Sequence, residues 1–156
     1  MTPETLDHAG IAALIPHRGA MCLLDRMTSW SDAGIECIAV DHRDPKHPLR
    51  SRRGLLASAA IEYAAQATAV HGALCAKAAG QGAAPGFLAS ARDVRLACLR
   101  LDDLPDTRPD ELVVNAERQA ADASRILYSF RVSHGGRELA TGRVAVILDA
   151  ALAQPT

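Results

Sequence analysis

Glu62 has the setting in this chain that most strongly suggests chemistry. It lies within residues 55–76, a stretch otherwise made mainly of Ala, Leu, Ile and Val, which predicts a central helix. A helix that is apolar on nearly all sides is normally buried, and a carboxylate is almost never buried without a partner or a task. We therefore expect Glu62 to be buried and to act as a general acid, because burial without a nearby cation favours the protonated form.

Two further polar residues extend this feature. Ser58, Glu62 and Gln66 follow one another at four-residue spacing, so they share one face of the predicted helix. The alternative is that they form only the solvated side of an amphipathic helix. Such a side usually carries many full charges, yet the nearest are Arg53 before Glu62 and Lys77 after it. The pattern favours a polar stripe in which Ser58 and Gln66 support Glu62.

The elements around the helix are predicted from apolar runs and the turn signals between them. Pro16 ends a short helix at residues 5–14, and a loop rich in Pro, His and Arg occupies residues 41–54. Gly135-Gly136 lies between two apolar runs and predicts a hairpin. The predicted strands are residues 20–27, 35–40, 86–99, 111–119, 126–134 and 138–148. Residues 1–156 are thus predicted to form a single α+β domain, with an antiparallel sheet of about six strands on one long helix and the later strands joined as a meander.

One sheet covers only one side of a mostly apolar helix. The other side needs a cover, and a homodimer or a heterodimer with a protein of the same kind would supply it. A pocket at such an interface would open Glu62 to a substrate.

The composition argues against several classes of function. A net charge of −1 gives no reason to expect a nucleic-acid partner, and Glu62, Gln66 and His71 interrupt residues 55–76 too often for a membrane span. The cysteines are isolated and lack metal-ligand spacing, which predicts no metal site and a reducing, cytoplasmic setting. Cys75 and Cys98 are expected to be small core residues.

Several segments resemble the 3-hydroxyacyl-acyl-carrier-protein dehydratases. Residues 15–26, IPHRGAMCLLDR, resemble the opening motif of that family. Residues 61–67, IEYAAQA, resemble its helix motif, in which a catalytic Glu precedes Ala-Gln-Ala. His47-Pro48 stands in the place of the family's His-Phe-Pro, and residues 86–89, GFLA, resemble the strand after the helix. The pattern is most similar to the dehydratase-like proteins found with aryl polyene pigment synthesis.

The resemblance implies a hotdog fold and a reaction without a cofactor. The reaction is dehydration of a 3-hydroxyacyl thioester, held on the 4'-phosphopantetheine of an acyl carrier protein, to the trans-2-enoyl thioester in fatty-acid or polyene synthesis. A base must remove the proton beside the carbonyl, and an acid must protonate the departing hydroxyl. The resemblance assigns these roles to His47 of one chain and Glu62 of the opposite chain, with His42 as the competing base.

Other residues receive supporting roles. The backbone N–H groups of Gly54, Leu55 and Leu56, at the helix start, are expected to hold the thioester oxygen as negative charge develops on it. Gly54 lies farther from Glu62 than the family's glycine does, so this turn is displaced relative to the family pattern. His17 is expected to be structural, beside Arg18 and Asp25.

A basic cluster precedes the helix. Arg50, Arg52 and Arg53 are candidates for docking an acidic carrier by electrostatic attraction. The alternative is that they are loop arginines that serve solubility.

Two other functions remain open at this point. In a hotdog thioesterase, Glu62 would activate water towards the same thioester. In a partner subunit without turnover of its own, the chain would lend a surface or half of a site to an active homologue, and the displaced Arg53-Gly54 turn keeps this alternative open.

Overall fold

The computed structural model describes residues 5–17, 19–82 and 86–148. It contains two α-helices and six strands, with short 3-10 turns at Gly19–Met21 and Ala57–Ala59. The helices are α1, His8–Ala12, and α2, Ala60–Ala78. The strands are β1, Arg26–Ser31, β2, Gly34–Ala39, β3, Gly86–Leu96, β4, Leu112–Ala121, β5, Arg125–His134, and β6, Arg137–Leu148.

The six strands form one antiparallel sheet in the order β1-β2-β4-β5-β6-β3. β4, β5 and β6 form the predicted meander, and Gly135 and Gly136 make the β5–β6 hairpin turn at φ 55° and 81°, where glycine is favoured. β3 instead crosses to the far edge and pairs with β6. The α+β prediction is confirmed, and the arrangement is that of the hotdog fold.

The core lies between one face of the sheet and α2. Side chains alternate along the strands, so that Leu112, Val114 and Val132 are fully buried against the helix. Ala64 and Ala67 of α2 are fully buried too, and their small side chains let the helix lie close to the strands. This packing fixes the rotation of α2, and with it which residues of the helix face away from the sheet.

The prediction for residues 20–27 is wrong, because most of this segment is not a strand. Its backbone groups bond to a helix side chain instead of a neighbouring strand: the Leu23 N–H donates to Gln66 Oε1, and Gln66 Nε2 donates to the Met21 carbonyl. The first strand begins only at Arg26. Hydrophobic residues Cys22, Leu23 and Leu24 are buried nevertheless, which explains the strand-like composition.

Both predicted helices have different starting points in the structure. α1 begins after Asp7, whose carboxylate accepts from the Gly10 N–H as an N-cap, and Leu6 pairs with Met27 instead of continuing the helix. The central helix begins with the 3-10 turn at Ala57 because the Leu55 carbonyl already accepts from the Leu101 N–H. Among the described residues, no helix is long and apolar enough to cross a membrane.

Candidate active site

Glu62 lies in the first turn of α2 and contacts His17. His17 Nε2 is 3.2 Å from Glu62 Oε1, and the Glu62 and His17 side chains are 30% and 26% exposed. Gln66 Nε2 approaches the same Oε1 at 3.2 Å. Glu62 is thus half-buried in the single chain, not fully buried; the Gln66 amide donates to one of its carboxylate oxygens, and His17 Nε2 lies within ion-pair distance of the same oxygen.

Gln66 is the fixed point of this arrangement. Its side chain is fully buried, and its amide orientation follows from the two backbone groups of residues 21 and 23 that it bonds. Because Gln66 lies one helical turn after Glu62, its NH₂ group reaches the Glu62 carboxylate. The contact agrees with the predicted shared helix face, and the supporting role of Gln66 stays a prediction. Ser58 lies before α2, in the 3-10 turn, and is exposed.

Two cavities meet at Glu62. One, of about 390 Å³, extends towards the loop before the helix and is lined by Leu49, Ser51, Leu56, Ser58, Ala59, Ile61 and Glu62. The other, of about 280 Å³, follows α2 past Glu62 and His17 and is largely apolar, with Ala69, Phe87 and Leu88 among its lining residues. A ligand that filled both would have a polar group beside Glu62 and an apolar tail along the helix.

His47 faces the interior of its own chain. Its side chain is 0% exposed, Nδ1 accepts from the Leu49 N–H at 3.1 Å, and Nε2 lies 2.9 Å from the Tyr63 hydroxyl and 3.3 Å from Asp41 Oδ2. Since Nδ1 is an acceptor, the neutral ring carries its proton on Nε2. Tyr63 in turn donates to Asp41 Oδ1 at 2.5 Å.

Burial sets the protonation of this sealed group. Burial lowers the pKa of His47, against the opposing effect of the nearby Asp41 carboxylate, and burial also raises the pKa of Tyr63. Both ring nitrogens of His47 already have partners in the chain.

The three backbone amides predicted to hold the oxyanion differ in availability. The Gly54 N–H donates to the Ser51 carbonyl and the Leu55 N–H to Asp102 Oδ1. Gly54 has φ 95°, and a Cβ there would lie 2.6 Å from Arg100 and Asp102 side-chain atoms, so only glycine fits this turn. Within the described hydrogen bonds, the Leu56 N–H donates to none, and Leu56 lines the larger of the two cavities.

The predicted docking arginines divide into two kinds. Arg50 is half-buried and paired with Asp102, at 3.3 Å between Nη2 and Oδ2. Asp102 also binds Arg100, and this neighbour holds the pKa of the Asp102 carboxyl down at about 2. Arg52 and Arg53 are exposed at the tip of the turn that Ser51 and Gly54 close.

A third group of polar side chains, which contains two histidines, surrounds Asp110. His42 Nε2 and His134 Nε2 contact Asp110 Oδ1 at 3.1 and 2.8 Å, and Arg43 Nε donates to Asp110 Oδ2 at 2.6 Å. Within the described residues, His42, Asp110 and His134 are the group whose ligand atoms lie close enough for a metal. Arg43 already balances the carboxylate charge there. His42, weighed above as the competing base, is fully buried in this group.

The expectation for His17 needs correction. Asp25 pairs with Arg26, at 2.9 Å between Oδ2 and Nη1, whereas His17 contacts Glu62. Arg18 lies outside the described residues. No spacing in the sequence links positions 17 and 62, because the contact arises only when the segment of Met21 and Leu23 packs along α2.

Comparison with known proteins supplies a family. A family model for ApeP-like proteins, described as ApeP dehydratase, matches residues 9–155. No curated protein matches the chain.

Solved structures agree with the fold. A chain of the dehydratase heterocomplex ApeI:P from Xenorhabdus doucetiae is 22% identical, with a TM-score of 0.78 over 92% of this chain and 97% of that one. The E. coli PaaI protein from the phenylacetic acid degradation operon is 10% identical, with a TM-score of 0.58 over 90% of this chain and 88% of its own. A Pseudomonas aeruginosa thioesterase is 14% identical, with a TM-score of 0.55 over 79% of each chain. At these identities the likeness shows a common fold.

Proposed function

Because the chain belongs to the ApeP-like dehydratase family, we propose that it dehydrates a 3-hydroxyacyl thioester carried on an acyl carrier protein to the trans-2-enoyl thioester. The observation that carries the proposal is the position of Glu62, whose side chain lines two cavities. One extends towards the basic loop, the segment before α2 that carries Arg50, Arg52 and Arg53, and the other is largely apolar. Such an arrangement suits a substrate with a polar reacting centre and a hydrocarbon tail.

The proposed reaction removes one proton from C2 and adds one proton to the departing hydroxyl group. A base takes the proton from C2, the electron pair forms the C2–C3 double bond, and the C3–O bond breaks as an acid protonates the hydroxyl, which leaves as water. Glu62 is the proposed acid. The thioester oxygen gains charge on the way, and the Leu56 N–H, directly after the turn at Gly54 and Leu55, is the proposed donor to it. No cofactor takes part.

A base is the second requirement, and His47 is the residue that the family resemblance assigns to it. In the single chain His47 is sealed against Tyr63 and Asp41. Its use as a base for a substrate bound by the opposite chain would need the ring to turn towards the interface.

We further propose that a second hotdog subunit completes the assembly. The face of α2 that carries Glu62, Ala65, Ala69 and Gly72 is only partly covered, and the neighbouring edge strand β3 exposes Phe87 and Leu88. An edge strand with exposed apolar side chains is a surface suited to pairing with another chain. The similarity to a chain of a dehydratase heterocomplex favours a heterodimer over a homodimer.

Mass-spectrometric turnover of a carrier-bound 3-hydroxyacyl thioester tests the function. Loss of one water with the wild type, slowed about 10²-fold or more in Glu62→Gln, is the expected result, since proton transfer by a positioned side chain contributes about that much. Glu117→Gln, an exposed carboxylate on β4, is the matched control and should keep the wild-type rate.

Two other results would replace the proposal. Release of a free carboxylic acid would identify a thioesterase. No turnover from a folded, carrier-binding sample would favour a partner subunit, which the sealed His47 and the engaged amides of Gly54 and Leu55 make the second candidate. Repeating the assay with a second hotdog subunit separates these cases, because activity that is insensitive to Glu62→Gln would place the chemistry in the other chain.

A further inference from the structure

We propose that His17 is the positioning residue of Glu62: its Nε2–H and the Gln66 amide both donate to Oε1 and leave Oε2 as the oxygen that exchanges the proton with substrate. This inference rests on the proposed function for its catalytic meaning. Its structural content, a fixed tautomer of His17 that depends on Glu62, stands apart from any turnover.

The first step is the identity of the oxygen that is held. Both described contacts of the Glu62 carboxylate, with His17 and with Gln66, are made by Oε1 at 3.2 Å. Gln66 must present its NH₂ group there, because its carbonyl oxygen is taken by the Leu23 N–H and its nitrogen also donates to the Met21 carbonyl. Oε1 is therefore an acceptor, and proton exchange falls to Oε2.

The second step is the state of the imidazole. His17 Nδ1 is buried and has no hydrogen-bond partner within the described part of the chain. An unpaired N–H at that position would carry the full cost of a buried donor. The proton of neutral His17 therefore belongs on Nε2, the ring nitrogen that lies 3.2 Å from Glu62 Oε1.

The third step is the position of His17 and Glu62 relative to the two cavities. His17 and Glu62 line the same apolar cavity along α2, and each side chain is partly exposed. Glu62 also lines the second cavity, which opens towards the basic loop. A carboxylate that could swing freely between the two cavities would spend part of its time out of reach of the reacting centre. Two donors on one oxygen restrict that motion.

A kinetic double-mutant cycle tests the positioning role in the assembly that shows turnover. His17→Ala should lower kcat about 10- to 100-fold, the usual worth of a hydrogen bond to a charged group, with KM changed less than about threefold. In a Glu62→Gln background the same change should have no further effect beyond about twofold. A full additional loss in that background would show that His17 acts independently of Glu62 and would overturn the proposal.

Two further variants distinguish a positioning role of His17 from direct proton transfer by its imidazole. His17→Gln places a side-chain NH₂ near the Nε2 position and should recover most of the kcat lost in His17→Ala. A His17→Gln variant as slow as His17→Ala would mean that the imidazole itself transfers a proton, contrary to a positioning role. His8→Ala, which removes an exposed histidine bonded to the Leu24 carbonyl, is the control and should keep the wild-type rate.

A measurement without substrate separates failure of this inference from failure of the proposed function. In ¹⁵N-correlated NMR spectra of the folded wild type, His17 should show a protonated Nε2 and a bare Nδ1, and this pattern should change in Glu62→Ala. A protonated Nδ1, or a pattern that ignores Glu62→Ala, would overturn the inference even in an active dehydratase. The expected pattern in a protein without turnover would keep the His17–Glu62 contact and reject only the function.

Discussion

Glu62 and Tyr63 are neighbours on α2, yet they organise two opposite kinds of histidine site. Glu62 contacts His17 where both side chains are partly exposed and border cavities. Tyr63 contacts His47 in a sealed group in which each polar atom near it has a partner. Successive helical residues point about 100° apart, so Glu62 faces the two cavities and Tyr63 faces the loop between β2 and α2.

The two regions differ in how many of their polar atoms have partners within the chain. On the Glu62 side, one carboxylate oxygen has no described partner and the ring of His17 has a bare nitrogen. On the Tyr63 side, the hydrogen bonds join the loop after β2 to the helix through Asp41 and His47. We expect changes on the first side to affect turnover and changes on the second to affect the stability of the fold.

The largest expected effect on stability tests that division directly. Tyr63→Phe removes the hydroxyl that joins His47 to Asp41 and should lower the free energy of unfolding by about 1–3 kcal/mol, the cost of leaving buried polar groups unpaired. Glu62→Gln, one residue earlier and half-exposed, should change it by less than about 0.5 kcal/mol. Urea unfolding followed by circular dichroism measures both. Equal losses in the two variants would remove the distinction between the two sides.

An intermediate effect comes from pH. Burial lowers the pKa values of His42, His47 and His71 in the folded protein. The unfolded chain therefore binds protons that the folded chain does not, and stability that is complete above about pH 6.5 is lost as the pH falls below it. We expect the urea concentration at the unfolding midpoint to decrease as the pH is lowered from about 7.5 to about 5.5. Each histidine can contribute a slope of at most about 1.4 kcal/mol per pH unit.

A variant and a second pH window sharpen this test. His47→Gln should flatten the slope, because it removes one of the three groups. Asp102 and Asp110, whose carboxyl pKa values are lowered by Arg100 and Arg43, lose their contribution only below about pH 4 and so do not overlap with the histidine window. A stability that stays constant from about pH 7.5 to pH 5.5 would contradict the sealed, neutral state of these rings.

The smallest expected effect concerns the exposed arginines. Replacing Arg52 and Arg53 by Ser should leave the unfolding free energy within about 0.5 kcal/mol of the wild type, because both side chains lie at the tip of a solvated turn. Carrier binding should weaken several-fold at low ionic strength and less at high ionic strength. Arg131→Ser, an exposed arginine on β5, is the matched control. Carrier affinity that is unchanged at low salt would remove this turn from the docking surface.

Much of the fold could be read from local patterns. The strands β2, β4, β5 and β6 were predicted to within a few residues because alternating side chains and turn residues define them locally. The strand predicted at residues 20–27 was wrong for most of its length. Their apolar side chains fit a strand, but the backbone of residues 21–23 bonds to Gln66, a partner far away in sequence.

The candidate site also contains contacts that local spacing predicts and contacts that only distant segments make. Glu62 and Gln66 were found from their spacing on one helix, and their contact at 3.2 Å agrees with it. The sequence predicts Arg18 and Asp25 as the neighbours of His17, whereas its contact with Glu62 joins the segment before β1 to α2. The catalytic assignment of His47 is still a prediction from family resemblance, and its partners Tyr63 and Asp41 had no signature in the sequence.

The sequence by itself determined the α+β class, the central helix and the carboxylate that this helix carries, because helical spacing and turn chemistry act over a few residues. Only the tertiary structure decided which histidine meets that carboxylate. The rotation of α2 against the sheet directs Glu62 to His17 and Tyr63 to His47. That rotation is fixed by close packing of alanines against the strands, a property of the whole core and of no single segment.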